Sequence, residues 1–360
     1  MSSANDDSLI IRTWYEIAAY AINARASDIH VEASHLGALI RIRVDGLLQV
    51  HSQHPPEHHE RLITRIKILA RLDIAEKRIP QDGRLSIGLD FSKPNIDCRV
   101  SILPTLHGEK AVIRILPNRL EELSLERIGL LPEQLDIFQE AIVKPNGLIL
   151  VTGPTGSGKT RTLYSYLSFL NQSHRNLCSI EDPIEIRLPG VNQVGYHPRA
   201  GLDFSVIIKA LLRQDPDVIM IGEIRDSATA HLAIQAAQTG HLVLSTLHTR
   251  NARGALTRLK NLGIDQESLE SCLLCVSSQR LVRKLCPQCK DQIDSDVTGV
   301  CSHCNGNRYF GRIGVHEILS SKHLFDVSLP FISLRETGIL RVNEGLIDRS
   351  GLEAEVCAWH

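Results

Sequence analysis

Residues Gly153 to Thr160 read GPTGSGKT and fit the pattern G-x-x-x-x-G-K-T. Glycines in such a loop let backbone N–H groups surround phosphate oxygens, and the following helix directs the positive end of its dipole at the same charge. Lys159 is expected to reach the terminal phosphates, and the Thr160 hydroxyl is expected to contact Mg²⁺. We therefore predict that a nucleoside triphosphate is bound by Gly153, Pro154, Thr155, Gly156, Ser157, Gly158, Lys159 and Thr160.

Acidic side chains follow two other apolar runs. Glu223 comes after DVIMIG, and a carboxylate there can hold a water molecule in line with the terminal phosphate. Glu181 and Asp182 lie in SIEDPIE, where neighbouring carboxylates repel one another unless Mg²⁺ or hydrogen-bond donors offset them. One of these two acids is the alternative base to Glu223, and a solvated acidic turn is the alternative to a magnesium site.

A histidine and four cysteines complete the candidate residues. His248 follows the apolar run in HLVLSTLH, where a neutral imidazole can sense a phosphate, although a histidine at a strand end is more often an ordinary polar residue. The spacing C-x2-C-x11-C-x2-C matches four thiolates around one structural Zn²⁺. The predicted zinc ligands are Cys286, Cys289, Cys301 and Cys304.

The elements that must position these residues follow two different patterns. The first ~115 residues alternate apolar and polar positions, which predicts a small α+β domain with a largely antiparallel sheet. Apolar strands then alternate with helices, which predicts a parallel sheet covered on both faces. The stretch ESLESCLLCVSSQRLVRKL is predicted to be one long helix, with Cys272 and Cys275 as core thiols in its middle.

Composition excludes several classes of protein. The chain has 360 residues, 43% of them hydrophobic and 22% charged, which is ordinary for a globular protein and too apolar for a disordered one. A formal net charge of −1 argues against nucleic acid as a partner. No apolar run is long enough for a membrane span, and nine cysteines without a signal peptide indicate thiols or metal ligands in a cytosolic protein.

Taken in order, GPTGSGKT, SIEDPIE, DPDVIMIGEIRD and TGHLVLSTLHT resemble the motifs of the secretion ATPase superfamily, specifically the type II secretion and type IV pilus assembly ATPases. The resemblance extends over about residues 10 to 320. It implies that SIEDPIE is the Asp box, that Glu223 is the catalytic glutamate of Walker B, and that His248 belongs to the His box. Arg99 and Arg114 match arginines that the family presents to nucleotide, although surface pairing is the default for strand arginines.

The resemblance also implies an architecture. It consists of an α+β N-terminal domain at residues 1–118, a linker at 119–131, and a RecA-like P-loop ATPase domain at 132–360 that includes a zinc knuckle at 284–311. The family's first N-terminal domain has no counterpart in these residues, the knuckle loop is short, and the C-terminal region is abbreviated.

By the same resemblance the protein is expected to be a homo-hexamer with the cofactors ATP, Mg²⁺ and Zn²⁺, cytoplasmic and peripheral on the inner membrane. It would act on an inner-membrane platform protein and so assemble pilin subunits into a filament. The alternatives are a pilus retraction ATPase, a branch that generally lacks the zinc knuckle, a DNA-translocating motor, which the charge disfavours, and a non-catalytic zinc-dependent scaffold.

Overall fold

The computed structural model describes residues 2–88, 95–116, 120, 123–290 and 301–357. Its contacts divide the chain into two compact units, residues 1–118 and residues 119–360. The predicted linker and the predicted knuckle each include residues outside the described part. Within the described part, we find no helix that combines the length and the apolar character needed to span a bilayer.

The first unit is a six-stranded antiparallel sheet with two helices. Its elements are α1 (Ser2–Asn23), β1 (Asp28–Ser34), β2 (Gly37–Val44), β3 (Leu47–His54), α2 (Pro56–Ala70), β4 (Gln81–Ile87), β5 (Ile96–Thr105) and β6 (Gly108–Ile115). The strand order is β3-β2-β1-β6-β5-β4. Alternate residues of the strands, such as Ile29 and Val31 of β1, are fully buried in one core with Trp14 of α1 and Leu62 of α2. The antiparallel α+β prediction is therefore confirmed.

The second unit is built on a seven-stranded sheet. Its strands are β7 (Gly147–Thr152), β8 (Leu177–Glu181), β9 (Val191–Gly195), β10 (Val218–Ile221), β11 (Leu242–Leu247), β12 (Leu273–Leu285) and β13 (Tyr309–Ser320). The order is β13-β12-β7-β11-β10-β8-β9, and every pair is parallel except β12 with β13. All residues of β7, β10 and β11 are buried, as strands covered on both faces require.

Helices cover both faces of this sheet. They are α3 (Pro132–Ile142), α4 (Lys159–Leu170), α5 (Phe204–Leu211), α6 (Ser227–Gln238), α7 (Gly254–Asn261), α8 (Gln266–Cys272), α9 (Ser321–Phe325), α10 (Leu334–Asn343) and α11 (Arg349–Leu352). Helices α3 and α4 pack in one core, where the rings of Phe138 and Tyr166 stack with centroids 3.9 Å apart. Helices α5 to α8 pack in the core on the other side. The predicted α/β class with a parallel sheet is confirmed.

One predicted element is wrong. The long helix predicted through Cys272 and Cys275 ends at Cys272, where α8 ends, and strand β12 follows. Strand β12 lies between β7 and β13, so both of its edges are paired, and this ladder of backbone hydrogen bonds outweighs helical propensity. Both thiols are buried as predicted, but Cys275 is in a strand rather than in the middle of a helix.

Candidate active site

The loop between β7 and α4 contains the phosphate-binding pattern. Gly153, Gly156 and Gly158 have φ angles of 145°, 82° and 89°, which glycine adopts without strain. Gly153 also tolerates no side chain, because a Cβ there would lie 2.6 Å from the carbonyl oxygen of Gln279. Helix α4 begins at Lys159, so the loop ends at a helix N-terminus, where backbone N–H groups are available to an anion.

Two hydroxyls beside this loop are buried without a hydrogen-bond partner among the described residues, namely Thr152 Oγ1 and Ser157 Oγ. Unsatisfied polar atoms of this kind are uncommon in a folded core, and they fit a site that binds a polar ligand. Thr160 is half-buried in the first turn of α4, and its hydroxyl oxygen is a suitable ligand type for Mg²⁺.

Lys159 is folded back onto the loop. Its ammonium nitrogen Nζ donates to the carbonyl oxygens of Gly153 at 2.8 Å and of Pro154 at 3.0 Å. Burial lowers the pKa of Lys159 to about 8, while the charge of Glu223 raises this pKa and the charge of Arg280 lowers it. The carboxylate of Glu223 is therefore close enough to the phosphate-binding loop to act on its lysine.

Three strand ends bring acidic and basic side chains together. Asp182 follows β8, Glu223 follows β10 and His248 follows β11. The Arg225 guanidinium forms an ion pair with Glu223, and its Nη1 lies 3.7 Å from Asp182 Oδ2. His248 Nε2 lies 3.8 Å from Glu223 Oε2. The partial burial of His248 and the charge of Lys159 lower its imidazole pKa, which favours the neutral ring near pH 7.

Glu181 has a different environment from Asp182. It is buried at the end of β8, where its Oε1 accepts hydrogen bonds from Ser179 Oγ at 2.6 Å and from Gln193 Nε2 at 3.0 Å. Its Oε2 accepts a hydrogen bond from the Tyr164 hydroxyl of α4. The same hydroxyl accepts hydrogen bonds from the backbone N–H groups of Glu185 and Ile186. Protein donors thus offset the charge of Glu181, and the carboxylate ties the acidic loop to α4.

The two predicted arginines lie in the first unit. Arg99 of β5 and Arg114 of β6 are directly opposite one another in the antiparallel register. Arg114 Nε donates to Asp28 Oδ1 at 3.0 Å, and most of the Arg114 side chain is exposed. Their predicted action on nucleotide stays a prediction.

The four predicted zinc ligands converge at the tip of the β12–β13 hairpin. All four Sγ atoms lie within 4.8 Å of one another, with 3.9 Å between Cys286 and Cys301 and 3.6 Å between Cys289 and Cys304. Thiolates bound tetrahedrally to zinc at 2.3 Å lie about 3.8 Å apart, so the donor set fits this metal. Residues 291–300, between the two knuckles, lie outside the described residues.

Sequence reasoning missed several residues that contact this site. Arg225 was detectable, since it stands two positions after Glu223 and can reach the same strand edge. Gln279 and Arg280 were missed because their stretch was predicted to be a helix. The prediction therefore did not include the strand that brings them next to the phosphate-binding loop. Tyr164 carries no sequence signal, because a tyrosine on a buried helix face reads as a core residue.

The site and the fold together define a P-loop ATPase, with a phosphate-binding loop after β7 and a carboxylate after β10. Residues 3–328 match the family model described as "Type II/IV secretion system protein". The chain belongs to this family.

Curated relatives carry names from two systems. The chain is 46% identical over 335 residues to the "Putative type II secretion system protein E" of Escherichia coli (strain K12). That alignment covers 88% of this chain and 68% of the relative. It is 41% identical over 379 residues to the "Type IV pilus assembly ATPase PilB" of Acinetobacter baylyi, covering 95% of this chain and 65% of the relative. The chain therefore spans about two thirds of the length of these relatives.

Solved structures share the fold. The X-ray structure of the Legionella pneumophila ATPase DotB is 20% identical with a TM-score of 0.72, covering 94% of this chain and 93% of that chain. The crystal structure of the pilus retraction motor PilT with bound ADP is 27% identical with a TM-score of 0.65, covering 94% of this chain and 95% of that chain.

Proposed function

We propose that this chain hydrolyses ATP at the loop before α4 and that Glu223 positions the attacking water. The observation that carries the proposal is the convergence of Lys159, Glu223 and His248 at the carboxyl ends of neighbouring parallel strands, where open α/β sheets bind their ligands. The charge of Glu223 acts on Lys159, so a water held by Glu223 would lie near the terminal phosphate that the lysine contacts.

Each residue at this edge has a separate task in the proposal. Lys159 exchanges its two carbonyl contacts for phosphate oxygens, which restores a full charge partner to a buried ammonium. Arg225 restrains Glu223 and Asp182 through its guanidinium, and neutral His248 is available as a hydrogen-bond donor or acceptor beside Glu223. Glu181 acts as a positioning residue through Tyr164.

Magnesium would be held by Thr160, with Asp182 and Glu223 as nearby carboxylates, and it would neutralise charge on the phosphates. Zinc would be held by the four knuckle cysteines and would close the β12–β13 hairpin tip as a structural ion.

At the level of the assembly, we propose a homo-hexamer that acts on an inner-membrane platform protein to assemble a filament of a type II secretion or type IV pilus system. The names of the relatives that are 41% and 46% identical support the choice of these two systems, whereas the hexamer and the platform protein rest on the motif resemblance. Pilus retraction is the second candidate. It is supported by the 27% identity to PilT and opposed by the four-cysteine cluster.

The proposed hydrolysis is tested with the purified full chain and Lys159→Ala. Phosphate release by the unaltered chain should require Mg²⁺, and Lys159→Ala should reduce it at least a hundredfold, because the charge at the terminal phosphates is lost. Lys209→Ala is the matched control, since that lysine is exposed on α5. Equal phosphate release by Lys159→Ala and Lys209→Ala would reject the site.

A further inference from the structure

Two consecutive residues of β12 contact the two loops that carry Lys159 and His248. Strand β12 pairs with β7 up to Ser278 and Thr152, so Gln279 and Arg280 stand beside the first residues of the phosphate-binding loop. Their side chains extend to opposite faces of the strand, and both are almost wholly buried. Neither residue belongs to the phosphate-binding loop, to the segments that follow β8 and β10, or to the His248 segment.

Gln279 bridges the phosphate-binding loop and helix α4. Its Nε2 donates to the carbonyl oxygen of Ser157 at 2.6 Å, and its Oε1 accepts a hydrogen bond from Thr162 Oγ1 at 2.8 Å. Gly158 leaves room for this approach, because a Cβ on Gly158 would lie in tight contact with Gln279 Nε2, at 3.1 Å. The amide of Gln279 thus uses a donor and an acceptor to fix the end of the loop against the first turn of the helix.

Arg280 holds the segment that follows β11. Its Nη2 donates to the carbonyl oxygen of Arg250 at 2.7 Å, two residues after His248. Glu317 of β13 fixes the same segment at a second point, since its Oε1 accepts a hydrogen bond from Ala252 N at 2.9 Å. A buried guanidinium bonded to a main-chain oxygen restrains the backbone there more firmly than an exposed side chain does.

We propose that Gln279 and Arg280 are positioning residues, through which β12 sets the spacing between the ATP-binding loop and the His248 segment. The proposal rests on ATP hydrolysis at this site. Since the two side chains hold different loops, they act on different steps. Gln279 preserves the conformation that binds phosphate, whereas Arg280 preserves the place of His248 beside Glu223 during hydrolysis.

The role of Gln279 is tested by measuring ATP binding to the full chain. Gln279→Ala should raise the Kd of a fluorescent ATP analogue about tenfold and change kcat by less than about threefold, because a buried carbonyl and a hydroxyl lose their partners in the binding loop. Thr162→Val removes the hydrogen bond between helix α4 and Gln279 Oε1 and should also raise Kd. Thr162→Ser retains the hydroxyl and should keep Kd near that of the unaltered chain. A chain with both Gln279→Ala and Thr162→Val should have about the same Kd as the single variant with the higher Kd, because both changes remove one shared hydrogen bond.

The role of Arg280 is tested by measuring turnover at saturating ATP. Arg280→Gln should lower kcat about tenfold or more and leave the Kd within about threefold, and Arg280→Lys should recover part of the loss, since one donor still reaches the Arg250 carbonyl. Arg283→Gln is the control. Arg283 lies on the same strand, but its guanidinium stacks on the Tyr309 ring at 3.9 Å, away from both loops.

The split between Kd and kcat decides the proposal. A merely structural role would raise Kd and lower kcat together in all variants, and that result overturns the proposal, as does a lack of effect beyond that of Arg283→Gln. If Gln279→Ala does not fold, Thr162→Val still tests the hydrogen bond between Thr162 and Gln279. If Arg280→Gln does not fold, Arg280→Lys tests the effect of Arg280 on kcat. An unaltered chain without phosphate release would reject the proposed hydrolysis instead, while the Kd measurement would still test Gln279.

Discussion

At the scale of single residues, the burial of Lys159 controls the charge that the phosphate-binding loop carries. The side chain is buried, and two carbonyl oxygens of its own loop accept hydrogen bonds from its ammonium group. Burial lowers its pKa to about 8, and a triphosphate in the loop would raise that pKa again by supplying negative charge. ATP binding is therefore linked to proton uptake by the lysine wherever the free loop is partly neutral.

This linkage predicts a pH dependence of ATP affinity. Well below pH 8 the lysine is charged in both states, so the Kd should be flat there with respect to this group. Above pH 8 the free loop loses its proton first, so the Kd should rise, by up to about tenfold per pH unit until the pKa of the bound state is reached. Titration calorimetry from pH 7 to pH 9.5 measures it.

Lys159→Arg is the control for that titration, because arginine stays protonated throughout this range. The Kd of Lys159→Arg for ATP should be higher than that of the unaltered chain at every pH, and it should change much less between pH 8 and pH 9.5. Parallel curves for the unaltered chain and for Lys159→Arg would contradict the assignment of the pH dependence to Lys159.

At the scale of elements, the apolar runs that end in Glu181, Glu223 and His248 were predictable as strands. Each is short, mostly apolar and followed by polar residues, and the parallel sheet then brings their ends to one edge. Strand β12 was not predictable in this way. Its stretch LLCVSSQRLV follows α8 without a glycine or proline, and its apolar positions fit a helix as well as a strand, so only the pairing with β7 and β13 decides.

The β12–β13 hairpin leads to a prediction about metal. Because zinc binding contributes directly to folding free energy, the purified full chain should contain about one zinc per chain, and Cys286→Ser should lower both the zinc content and the melting temperature. Elemental analysis after purification without chelator measures the first quantity, and thermal unfolding measures the second.

Cys357→Ser is the matched control, since Cys357 lies outside the cluster. It should keep its zinc and its melting temperature. Folded chain with no zinc, or equal zinc content in Cys286→Ser and Cys357→Ser, would contradict a zinc site.

At the scale of the whole molecule, the chain consists of two units with separate cores, and the predicted nucleotide-binding residues are divided between them. Arg99 and Arg114 belong to the first unit and the ATP-binding loop to the second. In a closed ring of identical chains, the arginines of one chain can serve the nucleotide of its neighbour.

Mixed assemblies test this arrangement. Neither Arg99→Ala nor Lys159→Ala chains should hydrolyse ATP alone, but mixed rings should regain partial activity, because some interfaces then combine an intact arginine with an intact lysine. Single-turnover hydrolysis is the measurement, with mixed hexamers confirmed by mass, since it does not require turnover to pass around the ring. No recovery at any mixing ratio would contradict action between chains.

Single-turnover hydrolysis in Glu223→Gln tests whether Glu223 positions the attacking water. The amide keeps the size of the side chain and removes the charge. We predict that ATP still binds, with a Kd within about threefold of the unaltered chain, while the rate of phosphate release falls at least a hundredfold. Phosphate release at the rate of the unaltered chain, from ATP bound as tightly, would contradict the claim and would direct attention to Asp182.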